Sequence, residues 1–454
     1  MSWNDLNPLI TIHGVSQSHP SLLQLDPSES LSSKQRSCQQ CDWGFVSLLD
    51  AICRASTMAI TNRGTSLLVL LSAIVAALLS SQLVFQHPPC LEWLLNLDFL
   101  SFTSSISPNS YGSGHHRRHR APKTNDTDIC DDLPPGFPPA DTDTTSIFCV
   151  DRNGCCSFTT VQSAVDAVAV LSQKRSIVWI NKGIYYEKVT IPKTKPNITF
   201  QGQGLYTTGI AWNDTANSSH GTFYSASVAV FGANFIAKNI SFINVAPIPN
   251  PGDVGAQAVA IRVGADQAAF WGCGFFGAQD TLHDDRGRHY FKECHIQGSI
   301  DFIFGDGRSL YESCQMISIA SPVAAGLKTI DGTVTAHGRA SGDDNTGFSF
   351  VNCSIGGTGR IWLGRAWRPF SRVVFANTFM SDIIAPEGWN DFGDPGRDQT
   401  VFYGEYNCSG AGASLTTRVP YAQKLNDTQA APFLNTSFID GDQWLQPLDS
   451  NLLF

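Results

Sequence analysis

Positive charge is scarce in this chain. Its 30 Lys and Arg are outnumbered by 39 Asp and Glu, giving a net charge of −9. That balance argues against a nucleic-acid partner, which would favour a broad basic face. An acidic polymer is not excluded, because only the charge lining a site matters. Charged residues of both signs make up only 15% of the chain, against 42% hydrophobic, so most of the sequence is free to bury a core. Metal-binding punctuation is also missing. The 13 Cys include no paired CxxC…CxxC spacing, and Cys38 and Cys41 stand as a lone CxxC. The odd total leaves at least one thiol free or paired between molecules. Regular helical periodicity is confined to one stretch, Thr160 to Leu171. There Val161, Ala164, Val165 and Val168 fall on one face, with Thr159 or Thr160 available as N-cap. What is abundant is glycine, 39 residues, which suits many short strands and tight turns.

The polar residues 1–64 show little periodic pattern and read as disordered. Residues 65–85 (TSLLVLLSAIVAALLSSQLVF) are uncharged and long enough to cross a bilayer. Lys34, Arg36, Arg54 and Arg63 precede this run, and no Lys or Arg follows until Arg117. The positive-inside rule then leaves the N-terminus in the cytosol and the C-terminal mass outside. Were Met58 the start, the same run would read as a cleavable signal peptide. Either way the remainder enters the secretory pathway, as secreted or membrane-tethered protein. Nine N-x-S/T sequons, at Asn125, Asn197, Asn213, Asn217, Asn239, Asn352, Asn407, Asn426 and Asn435, fit that route. Residues 86–146 form a Ser/Pro/Gly-rich linker with a basic cluster at Arg117 to Arg120. Residues 147–454 read as the folded domain.

Short β-rich runs in that domain recur around a small or polar residue. The frame centres on Asn239, Cys273, Cys294, Cys314, Cys353 and Asn377, at steps of 34, 21, 20, 39 and 24 residues. A basic step of 20–24 with two insertions is that of a parallel β-helix, in which each turn lays short strands about 4.8 Å from the last. The expected fold is therefore all-β, a right-handed parallel β-helix with a short capping helix. The framed Cys and Asn are expected to stack as an internal ladder. Cys294 and Cys314, one turn apart in an exported protein, are expected to form a disulfide.

The frame also pairs two acids. Asp280 lies seven residues after Cys273, and Asp301 seven after Cys294, so they stand side by side on adjacent turns. Two carboxylates about 5 Å apart cannot both ionise comfortably, and one pKa must rise. That yields an acid and a nucleophile from identical side chains.

At this point the chain resembles the plant pectin methylesterases. GIYYEKV (Gly183 to Val189), QAVAIR (Gln257 to Arg262), GAQDTL (Gly277 to Leu282), DFIFG (Asp301 to Gly305) and LGRAW (Leu363 to Trp367) match that family's blocks in order and spacing. The resemblance implies hydrolysis of pectin methyl esters, releasing methanol, without cofactor or metal. Asp301 would be the nucleophile and Asp280 the acid/base. Gln279 and Gln257 would stabilise the oxyanion, and Arg365 would orient the nucleophile. Ser227, Gln257, Arg365 and Trp367 would contact substrate. Partners implied are methyl-esterified homogalacturonan and a proteinaceous inhibitor, with the enzyme a monomer. Residues 86–146 are too short for the helical inhibitor-like pro-region of many plant members, so a member without it is expected.

Arg262, Tyr185, Glu187 and Gly305 read as structural. Ala278 stands where Tyr is common, and His337 where Gln is usual; Cys155 and Cys156 replace small turn residues. Asp284 and Asp285 fall near the presumed cleft, where two extra acids would favour esterified stretches. A pectate lyase or polygalacturonase on the same fold, or a silent wall-binding homologue, are the alternatives. A lyase would want clustered acids for calcium, whereas two Gln suit oxyanion binding.

Overall fold

The computed structural model describes residues 143–249, 253–324 and 326–445. The expectations for residues 1–64 and 65–85, and for the linker up to residue 142, lie outside the described residues. Among the described residues no helix is long and apolar enough to cross a membrane.

The chain winds as a right-handed parallel β-helix with three sheets, of 11, 8 and 8 strands. One turn illustrates the rest. Arg288–Lys292 lies in the long sheet, His295–Gly298 in a second sheet, and Ile303–Gly305 in a third, termed here the cleft sheet. The next turn starts again with Arg308–Glu312, paired in parallel with Arg288–Lys292. In-register stacking puts like on like. The rings of Phe270, Phe291, Tyr311, Phe350 and Phe375 form one internal file with centroids 4.5–4.8 Å apart. Stacked aromatic pairs of this kind contribute roughly 0.5–1.5 kcal/mol each beyond burial.

The corner between the long and second sheets takes a left-handed residue on seven turns. Asn239, Gly272, Glu293, Ser313, Asn352, Asn377 and Asn407 supply it, with φ between 49° and 57°. Asn, which tolerates this region, takes four of the seven positions. This corrects the repeat frame by one residue. Asn239 and Asn377 belong to the corner, while the cysteines occupy the next, inward position. The internal file is Ile240, Cys273, Cys294, Cys314, Cys353, Thr378 and Cys408, and each carbonyl up to Thr378 accepts from the amide one turn on and one residue further.

The expected Cys294–Cys314 disulfide is absent; both are free, buried thiols. Parallel in-register strands point equivalent Cβ atoms the same way, about 4.8 Å apart, whereas a disulfide wants them facing at about 3.8 Å. Each thiol instead donates to backbone carbonyls, Cys294 to Lys292 at 3.3 Å and Cys314 to Phe291 at 3.5 Å. Cys149 and Cys156, flanking a tight turn, are bridged.

The helix spans Val161–Ala167 with Thr160 as N-cap, its side chain accepting from Ser163 N. Both carboxylate oxygens of Glu187 accept from the free amides of the first turn, Val161 at 2.8 Å and Gln162 at 2.9 Å. Tyr185 donates to Asn181 O at 3.0 Å. Both act structurally, as expected. The helix buries Val161, Ala164 and Val165 against the first turns of the core. At the other end, Phe433, Phe438 and Ile439 pack on the outer face of the long sheet over Ala269, Tyr290, Leu310 and Val374.

Candidate active site

Asp280 and Asp301 each stand two residues before one of two adjacent strands of the cleft sheet, Leu282–Asp284 and Ile303–Gly305. Leu282 pairs with Ile303, so the two acids occupy the same register position on successive turns. Asp280 N donates to Ile300 O at 3.0 Å, locking the turns together. Both acids are left-handed, with φ of 63° and 47°, a conformation that costs a non-glycine residue energy and often marks function. They are 7% and 8% exposed. Arg365 ends a strand two places further along the sheet, beyond Ala336, which pairs with Phe304. It reaches back to Asp301. Its Nε donates to both carboxylate oxygens, at 2.7 and 3.0 Å, and its Nη2 donates to Oδ2. Phe392 covers the guanidinium at 4.7 Å.

The two carboxyls thus have opposite surroundings. Asp280 makes no side-chain hydrogen bond to a described residue. Burial, then the charge of Asp301, push its pKa well above the usual carboxylate range, and Arg365 only partly opposes this. Burial alone would lower the Arg365 pKa, but the Asp301 charge and hydrogen bonds carry it above its ordinary value. The surroundings therefore favour a proton on Asp280, while Asp301 is held by the Arg365 guanidinium. Beside them, Gln279 O accepts from Ala258 N at 3.0 Å, so the Gln257 segment runs along the Gln279 turn. Both Gln are partly exposed, and neither side-chain amide bonds to a described residue. The arrangement offers one ionised carboxylate, one acid and two uncommitted amide donors, a set fit for acyl transfer. Among the described residues no group of three or more metal-ligating side chains gathers.

The pectinesterase family model matches residues 147–442. The chain belongs to the pectinesterase family. It is 71% identical over 318 residues to "Probable pectinesterase 8" of Arabidopsis thaliana, covering 70% of this chain and 81% of that protein. Among solved structures it resembles the pectin methylesterase from carrot, at 35% identity and a TM-score of 0.60. That likeness covers 66% of this chain and 94% of the carrot chain. It also resembles a pectin methylesterase solved in complex with a hexasaccharide, at 25% identity and a TM-score of 0.56, over 66% of this chain and 98% of the other. It is thus a carboxylic ester hydrolase.

The outward face of the same sheet presents one residue per strand at the level of Arg365. Its aligned positions are Ala229, Arg262, His283, Phe304, Ala336, Arg365 and Asn390. His283 stacks on Phe304 with centroids 4.2 Å apart, and Trp367 meets Phe304 edge-on at 6.1 Å. Trp367 is half-buried. Of the rings at this face, sequence reasoning named Trp367 but not His283 or Phe392, which the structure places against Phe304 and Arg365. The 21-residue step that pairs the two Asp also pairs His283 with Phe304, and that signal was available. Phe392 carried none.

Three expectations for the cleft are corrected. Ser227 is 0% exposed and donates to Ile243 O at 2.8 Å; its hydroxyl is spent on the backbone, leaving nothing for substrate. Asp284 points into the core, because alternate residues of a strand face opposite ways. Asp285 is held by Arg262 at 2.8 and 3.0 Å. Burial alone would raise the Asp285 pKa, but His283 and Arg262 keep it below the usual range. One buried acid and one neutralised acid cannot repel an anionic polymer. The pairing of Arg262 is the structural role expected for it. His337 also faces inward, its Nδ1 accepting from Arg372 N at 3.1 Å. Gly305 has φ of 131°, and a Cβ there would strike the Asp284 carbonyl. Its role is one of backbone conformation, as expected.

Proposed function

We propose that this chain removes methyl groups from pectin through a covalent intermediate on Asp301. The observation that carries the reading is the opposite environment of two stacked carboxyls. Arg365 keeps Asp301 ionised and aimed, so a carboxylate oxygen attacks the methyl-ester carbonyl. The oxyanion that forms takes hydrogen bonds from Gln257 and Gln279. Its collapse breaks the bond to the methoxy group, which leaves as methanol with the proton from Asp280. Asp280, now a carboxylate, takes a proton from water. The resulting hydroxide hydrolyses the acyl-enzyme and regenerates Asp301, leaving a free galacturonate.

An activated ester with a leaving group that needs no acid isolates the intermediate. With Asp280→Asn, acylation proceeds while deacylation lacks its base. Mass spectrometry should then find the sugar acyl group on Asp301. Steady turnover with no adduct would sink the covalent route.

Export is part of this reading, supported by the apolar run at 65–85, the sequons and the Cys149–Cys156 bridge, which suits an oxidising compartment. There the enzyme, as a monomer, would act on wall pectin. N-terminal sequencing of exported protein separates anchor from signal peptide; retention in the cytosol would refute export.

A further inference from the structure

The outer face of the long sheet changes character along its length. Toward the C-terminal turns it is covered by Phe433, Phe438 and Ile439. Toward the N-terminal turns it carries Arg175, Gln201, Lys238 and Trp271, all partly exposed. Gln201, Lys238, Trp271 and Lys292 are register partners on consecutive strands, a row about 14 Å long at the usual strand spacing. Lys238 Nζ lies 5.6 Å from the Trp271 ring centre.

Arg175 lies on the same face but outside this row, four residues before Trp179, the register partner of Gln201. The cations of this face differ in their partners. Lys292 pairs with Glu312 at 3.1 Å. Neither Lys238 nor Arg175 meets a carboxylate among the described residues. Arg175 spends Nη1 on Asn234 O at 2.7 Å and on Thr199 Oγ1. Burial brings its pKa down to about 10. Burial, and then the Arg175 charge, lower that of Lys238. Two half-buried cations on one face, with no counter-charge among the described residues, form an arrangement that an anion stabilises. The adjacent Trp face suits the apolar side of a pyranose ring, and Gln201 offers a nearby polar group. Ester hydrolysis supplies such an anion, since each turnover converts a neutral methyl ester into a carboxylate on the same polymer.

We propose that Arg175, Lys238 and Trp271 form a second, non-catalytic site that binds de-esterified stretches of the polymer. The choice of polymer rests on the pectinesterase reading. Such a shelf holds the enzyme on stretches it has already processed, while the cleft takes esterified ones.

The test uses the full chain carrying Asp301→Ala, so that binding is read without turnover. Lys238→Glu in that background should weaken binding to polygalacturonate about tenfold at low salt, with the gap narrowing as salt rises. Binding to fully methyl-esterified polymer should not change, and Lys238→Arg should bind like the parent. In the active enzyme, Lys238→Glu should leave methanol release from a short esterified oligomer intact. Unchanged polygalacturonate binding, or equal weakening on both polymers, would overturn the shelf. If Lys238→Glu unfolds, Arg175→Gln provides the same comparison. Methanol release that survives Asp301→Ala would count against the catalytic reading and leave the shelf standing.

Discussion

Two charged clusters sit on opposite faces of the same sheet, four residues apart in sequence. In the core, both oxygens of Asp284 are engaged. One oxygen pairs with His289 Nδ1 and the other accepts from Tyr311 at 2.6 Å, while His289 Nε2 meets Ala265 O at 2.7 Å. In the cleft, Asp280 has no side-chain partner among the described residues, and both Gln amides are uncommitted. The same residue type serves as structure where both carboxylate oxygens are engaged and as chemistry where neither is. A buried ion pair is weak evidence of stabilisation, yet removing one member leaves an uncompensated charge. Open capacity in a half-buried site is what a reacting group can fill.

The largest effect should come from the cleft. Asp301→Asn should lower kcat for methanol release, measured per folded molecule, by at least on the order of 10⁴-fold. A variant retaining a tenth of the activity would break the contrast. In the core the outcome reverses. Asp284→Ala should destabilise by about 3–5 kcal/mol in denaturant titrations, because His289 is left buried and unpaired. Activity per folded molecule should be kept. Next comes Gln279→Ala, expected to cost roughly 10²–10³-fold in kcat with little change in KM, as for a donor that works only on the oxyanion.

The smallest effect is a pH dependence of stability. Burial lowers His283 from 6.5 to about 4 and His337 from 6.5 to about 3. The unfolded chain therefore binds protons that the folded chain refuses. Stability from these groups is present above about pH 6.5 and falls as pH drops through that window. His337→Gln should flatten the fall in midpoint between pH 6.5 and 4. An unchanged slope would remove His337 from the account.

Much of the fold was legible because a parallel β-helix writes its period into the chain. The helix at Val161, the run of strands and the pairing of Asp280 with Asp301 all follow from spacing. The frame was read one residue out at Asn239 and Asn377, since the left-handed corner and the inward position beside it both prefer small or polar side chains. Arg365 was legible only by resemblance. It lies 64 residues from Asp301 in sequence, and no local pattern marks a side chain that crosses two strands.

By itself the sequence determined the repeat, the fold it requires and the two acids that repeat aligns. Period alone decides these, because equivalent positions on successive turns must stack. Only the tertiary structure decided direction. It turned Asp284 and His337 inward, bound Ser227 to the backbone, kept Cys294 and Cys314 as parallel thiols and brought Arg365 onto Asp301. Each depends on which way a Cβ points after a left-handed corner, and a single residue of offset reverses that.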